Sequence, residues 1–424
     1  MPDNSLYWRR NLYVCLFGSF TTLLAMTLLL PFLPIYVEQL GVEGHAAIVQ
    51  WSGVAYGITF LGAGVMAPIW GRFADLYGRK PILMRAALAM AVCMSLIGLA
   101  QNIWQLVALR LAAGLLGGYS SGAVVLVATQ TPRERSGWAL GVLSTGTLAG
   151  TLLGPLMGGI MPGLIGIRAT FFAAGAVIFV AFLATVFLVR EDRSAFRKEV
   201  RQVTQRAWSM VPDRRPVITM LVTAMLLLFA NMSVEPIITV YVGQLKPPGG
   251  DVVFTAGLVM AASAVGSIVA APHLGRWADR RGHWSLIVWS LAGCSVLLIP
   301  QAFVTNSWQL IGLRFLMGVA LAGLLPAITA TIRHNVPQAA AGTILGYSTS
   351  AQYAGQVLGP LAGGFVGGQI GMRAVFGATT LVMAGGALLN WWVSRQIARK
   401  SPLGDDASRG RLAPDERSAD DRPP

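Results

Sequence analysis

Twelve apolar stretches, each close to the ~20 residues that a helix needs to cross a bilayer, leave this chain few ways to fold. They run over about 11–37, 48–70, 81–100, 103–128, 138–161, 168–189, 217–243, 254–274, 284–303, 307–331, 341–366 and 372–394. Lipid offers no water to backbone N–H and C=O groups, so segments of this kind must satisfy themselves internally, as helices. Composition agrees: of 424 residues, 54% are hydrophobic and 12% charged, against roughly 25% charged in an ordinary soluble protein. The fold class read from this pattern is an all-α membrane protein with twelve transmembrane helices. The segment "LYWRRNLYVCLFG" starts like a secretory leader, but the apolar run continues through Leu33 with no small-residue cleavage pattern. It is read as the first span.

The twelve spans divide six and six. A polar, basic segment, "REDRSAFRKEVRQVTQRAWSMVPDRRP", separates them and is expected to hold an amphipathic helix at the membrane surface. The halves repeat each other at an offset of 204–205 residues: "NIWQLVALRLAAGLLGG" answers "NSWQLIGLRFLMGVALAG", "GPLMGG" answers "GPLAGG", and "YVEQL" answers "YVGQL". The expected organisation is an N-terminal six-helix bundle (1–189), a linker (190–216), a C-terminal six-helix bundle (217–395) and a disordered tail (396–424). Two parallel six-span halves related by an axis along the membrane normal are a transporter architecture.

The net charge of +14 invites a nucleic-acid reading, but its distribution argues otherwise. With the N-terminus placed in the cytoplasm, 26 of the 32 Lys and Arg residues fall in cytoplasmic segments. The outer loops hold only Lys246, Arg168 and Arg373. That is the positive-inside asymmetry. It accounts for the basic charge with the lipid bilayer as partner, no nucleic acid, and both termini cytoplasmic in a multi-pass inner-membrane protein. There is no Gly-x4-Gly-Lys-Ser/Thr sequence, so ATP hydrolysis is not the expected energy source. Four scattered histidines and three cysteines in different spans give no metal spacing and no cofactor motif. No enzyme chemistry is expected.

One charged decapeptide lies between spans 2 and 3: "GRFADLYGRK", Gly71 to Lys80, repeated 204 residues later as "GRWADRRGHW". Gly71 and Gly78 permit a tight turn at a helix end, and Asp75 carries a charge suited to a helix N-terminus. The stretch resembles the loop signature of the major facilitator superfamily, Gly-x-Leu-Ala-Asp-Arg-x-Gly-Arg-Lys. Gly71, Ala74, Asp75, Gly78, Arg79 and Lys80 match; Phe73 and Leu76 depart. The resemblance implies that Asp75 meets the N-terminus of span 11 in the other half. Arg79 and Lys80 would anchor the loop and pair with acids such as Glu134, locking the halves together on the cytoplasmic side. The second copy keeps Gly275, Asp279 and Gly282 but lacks the closing Arg-Lys, so the stronger lock is expected on the N-terminal side.

In span 5, Gly146, Gly150, Gly154 and Gly158 recur every four residues and share one helical face. Gly159 follows, and Pro155 adds a bend. Such small-residue faces let helices approach closely in any membrane bundle. The Gly-Pro-x-x-Gly-Gly here also resembles the antiporter signature of drug:proton exporters within the superfamily. In "PFLPIYVEQLGV", "GLAQNIWQL" and "ATQTPRERSGWALGVLSTG", and over about residues 8–395, the chain is similar to a group of bacterial multidrug resistance proteins in that class. The resemblance implies a monomeric carrier that exports small amphipathic compounds in exchange for protons by alternating access. The alternative is a proton-coupled importer of a small metabolite or sugar.

Of the charges inside spans, Arg110 and Glu235 bear most on coupling; Arg314, the repeat counterpart of Arg110, is read as a strut. Arg110, in span 4, matches the family's span-4 arginine, which is thought to influence proton release; a strut bonded to span-1 carbonyls is the other reading. An arginine at bilayer centre costs about 2.5–3.5 kcal/mol on insertion scales, so it needs bonds or a cavity. Glu235, beside Pro236 and one turn from Asn231, is the carboxylate deepest in a span. It is the simplest proton carrier here, or else a solvated residue near the outer vestibule. Exporters of this class often carry an acid in mid-span 1, where this chain offers only Glu38, at the outer end. Family geometry places spans 1, 4, 7 and 10 at the centre. Candidate cavity residues are then Met26, Tyr56, Phe60, Tyr119, Phe229, Asn231, Met232, Gln352, Tyr353 and Gln356; Met and aromatic side chains adapt to varied ligands. Any one of them alone can equally be a packing residue.

Overall fold

The computed structural model describes residues 4–191, 207–245 and 250–400, and these residues form helices and their connections, with no strand among them. Among the described residues, eleven helical segments are long and apolar enough to cross a membrane. They are span 1 (Tyr7–Gln39), span 2 (His45–Tyr77), span 3 (Arg79–Ile97), span 4 (Ile103–Gln130), span 5 (Ser136–Ile165), span 6 (Ile167–Leu188), span 7 (Arg214–Gln244), span 8 (Val252–Arg281), span 9 (His283–Gln301), span 10 (Ser307–Asn335) and span 12 (Met372–Ile397). Span 11 is the helix Gln338–Gln369, as long as the others but richer in Gly, Ala, Gln, Ser and Thr. It packs along span 7 and span 2, so much of it faces protein rather than lipid. The expected surface helix of the linker falls largely on 192–206, and most of the tail on 401–424. Both stretches, like Lys246, lie outside the described residues.

The repeat is structural. In the N-terminal half span 1 packs on span 5, span 2 on span 4 and span 3 on span 6; in the C-terminal half span 7 packs on 11, span 8 on 10 and span 9 on 12. Lipid gives no hydrophobic drive between helices, so close packing must hold them together. Glycine provides it. A Cβ at Gly146, Gly150, Gly154 or Gly158 would press on the carbonyls of Leu16, Phe20, Leu24 or Leu28 in span 1. Gly355, Gly359 and Gly363 stand likewise against Met225, Phe229 and Ser233 in span 7.

Four spans are interrupted at matching positions. Pro31 and Pro236 lack the N–H that a helix needs, and the chain passes through 3-10 turns at Leu30–Phe32 in span 1 and Glu235–Ile237 in span 7. Spans 4 and 10 break after Leu116 and Leu321, where Gly118 and Gly323 take positive φ. Freed carbonyls in span 4 are satisfied from neighbouring spans: Trp70 Nε1 donates to Leu115 O (2.7 Å) and an Arg85 terminal NH2 to Gly117 O (3.0 Å).

The halves meet along spans 2 and 11 and along spans 5 and 8, and among the described residues their close approaches lie toward one end. Gly53 and Gly57 fit against the Pro360 and Val357 carbonyls, Gly364 and Gly368 against those of Val49 and Ala46, and Gly257 against that of Pro155. Thr239 Oγ1 donates to Pro31 O (2.9 Å), joining the two interrupted turns. All of these contacts lie toward the end away from the chain termini. At the terminal end, Gly71 and Gly275, and Gly137, Gly141, Gly342 and Gly346, leave open space within 4 Å of where a Cβ would stand. Among the described residues the molecule is therefore shut at one end and parted at the other.

Candidate functional site

Glu235 lies where the shut end begins. Its half-buried carboxylate is held in the 3-10 turn of span 7 and accepts two hydrogen bonds. Asn231 Nδ2, one turn back in the same span, donates to Oε1 at 3.2 Å; the Tyr56 hydroxyl, from span 2 in the other half, donates to Oε2 at 3.3 Å. Arg314 of span 10 is near enough for its charge to act on the carboxylate. Among the described residues this is the acidic side chain placed within a span and away from its ends. Glu38, the other expected proton site, is exposed at the end of span 1.

Arg110 does not sit beside Glu235. It is fully buried, its Nε donates to Ala55 O (3.1 Å), and its guanidinium lies 5.6 Å from the centre of the Tyr56 ring. The strut expected toward span 1 thus runs to span 2, and Tyr56 stands between Arg110 and Glu235. The arginine that acts on Glu235 is the repeat counterpart, Arg314, which the sequence suggested only as a strut. The two residues stand 79 positions apart in the sequence, and no local pattern marks their approach.

Tyr56 and Phe60 pack edge to face, with ring centres 5.3 Å apart. Tyr353 reaches across from span 11 to Gly64 of span 2, and Met232 borders Gly359. Met26, Phe229, Asn231, Gln352 and Gln356 are partly buried on spans 1, 7 and 11, and of these span 11 packs across the halves on span 2. Tyr119 is elsewhere. Its hydroxyl bonds Thr185 Oγ1 (2.8 Å) and its ring fills the space left by Gly18, within the N-terminal bundle. It is a packing residue, because the Gly117–Gly118 break turns it toward spans 1 and 6.

The charged loop is arranged differently from expectation. Asp75 pairs with Arg79 one turn on, within its own half. Glu191, just after span 6, accepts from the backbone N–H groups of Arg79 (2.6 Å) and Lys80 (2.9 Å), so it caps the N-terminus of span 3. Lys80 Nζ bonds Val186 O (2.8 Å). The acid that meets this loop is therefore Glu191; Glu134 is exposed on the next loop. In the second copy, His283 Nε2 lies 4.0 Å from Asp279 Oδ1, in the place of the Arg79–Asp75 pair.

The family model for the Major Facilitator Superfamily matches residues 15–250 and again 249–416. The chain belongs to the major facilitator superfamily. Among its relatives in that superfamily, Multidrug resistance protein MdtG of Proteus mirabilis (strain HI4320) is 42% identical over 393 residues, 93% of this chain and 98% of the relative. Multidrug resistance protein MdtG of Serratia proteamaculans (strain 568) is 42% identical over 385 residues, 91% of this chain and 94% of the relative. The superfamily fold also appears in solved structures of low identity. A bacterial homologue of the human lysosomal transporter Spinster, inward-facing and unoccupied, superposes with a TM-score of 0.76 at 14% identity, over 94% of this chain and 100% of that one. The nucleoside transporter NupG gives 0.70 at 13% identity, over 89% and 98%. The chain is thus a multi-pass membrane transporter of the superfamily, with its in-span carboxylate where the two halves touch.

Proposed function

We propose that this protein exports small amphipathic compounds across the inner membrane in exchange for protons, as a single chain, by alternating access. The observation that carries the reading is the 42% identity, over 93% of the chain, to proteins named for multidrug resistance. The concentration of Lys and Arg in the loops of the terminal end supports a cytoplasmic placement for that end. The parted end then opens to the cytoplasm, as an exporter collecting substrate requires. Glu235 carries the proton. A compound entering between the halves competes for the carboxylate or its space and favours loss of the proton to the cytoplasm. Protonation from the outer side restores the proton that the compound displaced. The membrane potential contributes about 2.3 kcal/mol per charge per 100 mV to such an exchange. Met26, Phe60, Phe229 and Tyr353 supply adaptable apolar surface, which suits varied ligands better than one.

The test is drug susceptibility in cells that express the protein, with and without a protonophore. Expression should lower accumulation of amphipathic dyes and raise tolerance, and the protonophore should abolish both effects. Uptake that is driven by protons would instead favour import of a metabolite.

A further inference from the structure

The scaffold is symmetric around Glu235, but its chemistry is not. The turn Glu235–Ile237 of span 7 packs on span 2, and its counterpart Leu30–Phe32 of span 1 packs on span 8. At the repeat offset, Glu235 corresponds to Leu30 and Tyr56 to Met260. One diagonal contact between the halves is therefore Tyr–Glu, and its mirror position holds Leu and Met. Only the first can sense a proton.

Tyr56 is built for that position. It is 2% exposed, its ring is backed by the Arg110 guanidinium, and its hydroxyl reaches Glu235 across the inter-half boundary. The other donor to the carboxylate, Asn231, belongs to the same span as Glu235 and ties nothing between halves. Among the described residues, the charged or titratable groups facing the carboxylate are Tyr56 and Arg314, with Arg110 behind the Tyr56 ring. Span 11, which also packs on this turn, contains no acidic or basic residue.

We propose that Tyr56 converts the charge on Glu235 into closure of the end away from the termini. When Glu235 is ionised, the hydroxyl donates to a carboxylate and holds spans 2 and 7 together. When Glu235 is protonated, or when a bound compound takes its place, only a neutral and roughly half-as-strong bond is left, and the halves can part there. The inference rests on the reading that Glu235 carries the coupled proton, and it adds the residue that transmits the event.

Spin labels at Gln101→Cys and Thr305→Cys, one exposed loop position in each half at the shut end, report the separation by electron–electron distance measurements on purified full-length protein. The native thiols Cys15, Cys93 and Cys294 are buried. In the otherwise native protein the distance should lengthen as the pH is lowered. Tyr56→Phe, which keeps the ring against Arg110, should lose most of that pH dependence and transport poorly, yet still release protons when a substrate dye is added. Met260→Leu, at the mirror contact, should keep the pH-dependent change. Three results overturn the proposal: no pH dependence in the native protein, native behaviour in Tyr56→Phe, or equal loss in Met260→Leu. If Glu235→Gln still releases protons on dye addition, the underlying reading of Glu235 fails instead.

Discussion

The Tyr56 hydroxyl, in the N-terminal half, donates to Glu235 Oε2, in the C-terminal half, over 3.3 Å. The contact lies at the inner limit of the closed end. It places the in-span carboxylate in reach of the partner half and of Arg314 within its own half.

Arg314 and Glu235 should be energetically coupled. Removing one of two opposite charges set into the protein interior leaves the other less compensated. Arg314→Met should therefore destabilise the native protein more than it destabilises Glu235→Gln. A double-mutant cycle by thermal unfolding in detergent should give a coupling of about 0.5–3 kcal/mol. Equal costs in both backgrounds would mean that the two charges act independently.

The glycine faces should sort by what stands opposite. A leucine at Gly154 would drive into Thr27 and the Leu24 carbonyl, backbone that cannot yield. Overpacking of this kind costs about 1–3 kcal/mol or more, and the melting temperature should fall. Gly346→Leu meets open space and should melt like the native protein. Similar melting of the two variants would contradict the packing described for spans 1 and 5.

Much of the fold was legible because lipid makes each span declare itself by length and apolarity. Span 11 is the instructive case. Its composition is the least apolar, yet Gly355, Gly359 and Gly363 repeat the span-5 spacing and mark it as a span. Glu235 was visible as a lone acid in an apolar run. Its partners were not, because Tyr56 and Arg314 arrive from spans 2 and 10, and the choice between Arg110 and Arg314 is made by packing. Tyr119 misled because an aromatic in a central span reads as cavity lining; the glycine break beside it decides where it points. The loop contact to Glu191 was hidden too, since it depends on span 6 ending beside the start of span 3.

Asp75→Asn should leave expression near normal and lower transport severalfold, because the Asp75–Arg79 pair shapes the loop that must close when the parted end shuts. Asp279→Asn should matter less. Its side chain is 76% exposed, and its histidine partner stands 4.0 Å away. Transport in vesicles measures both, and full activity of Asp75→Asn would remove the loop from the mechanism.

Glu191→Ala should cost roughly 0.5–2 kcal/mol, as expected for a lost helix cap, seen as a lower melting temperature. Glu191→Gln keeps one of the two acceptor oxygens and should recover part of it. No change in Glu191→Ala would mean that the N-terminus of span 3 is satisfied in another way.

Proton release by purified protein in weak buffer, on addition of a substrate dye, tests the role of Glu235 most directly. The native protein should acidify the medium as dye binds. Glu235→Gln should bind dye, followed by fluorescence, and release no protons. Release of protons by Glu235→Gln at the native level would place the coupled proton on another residue and contradict the mechanism.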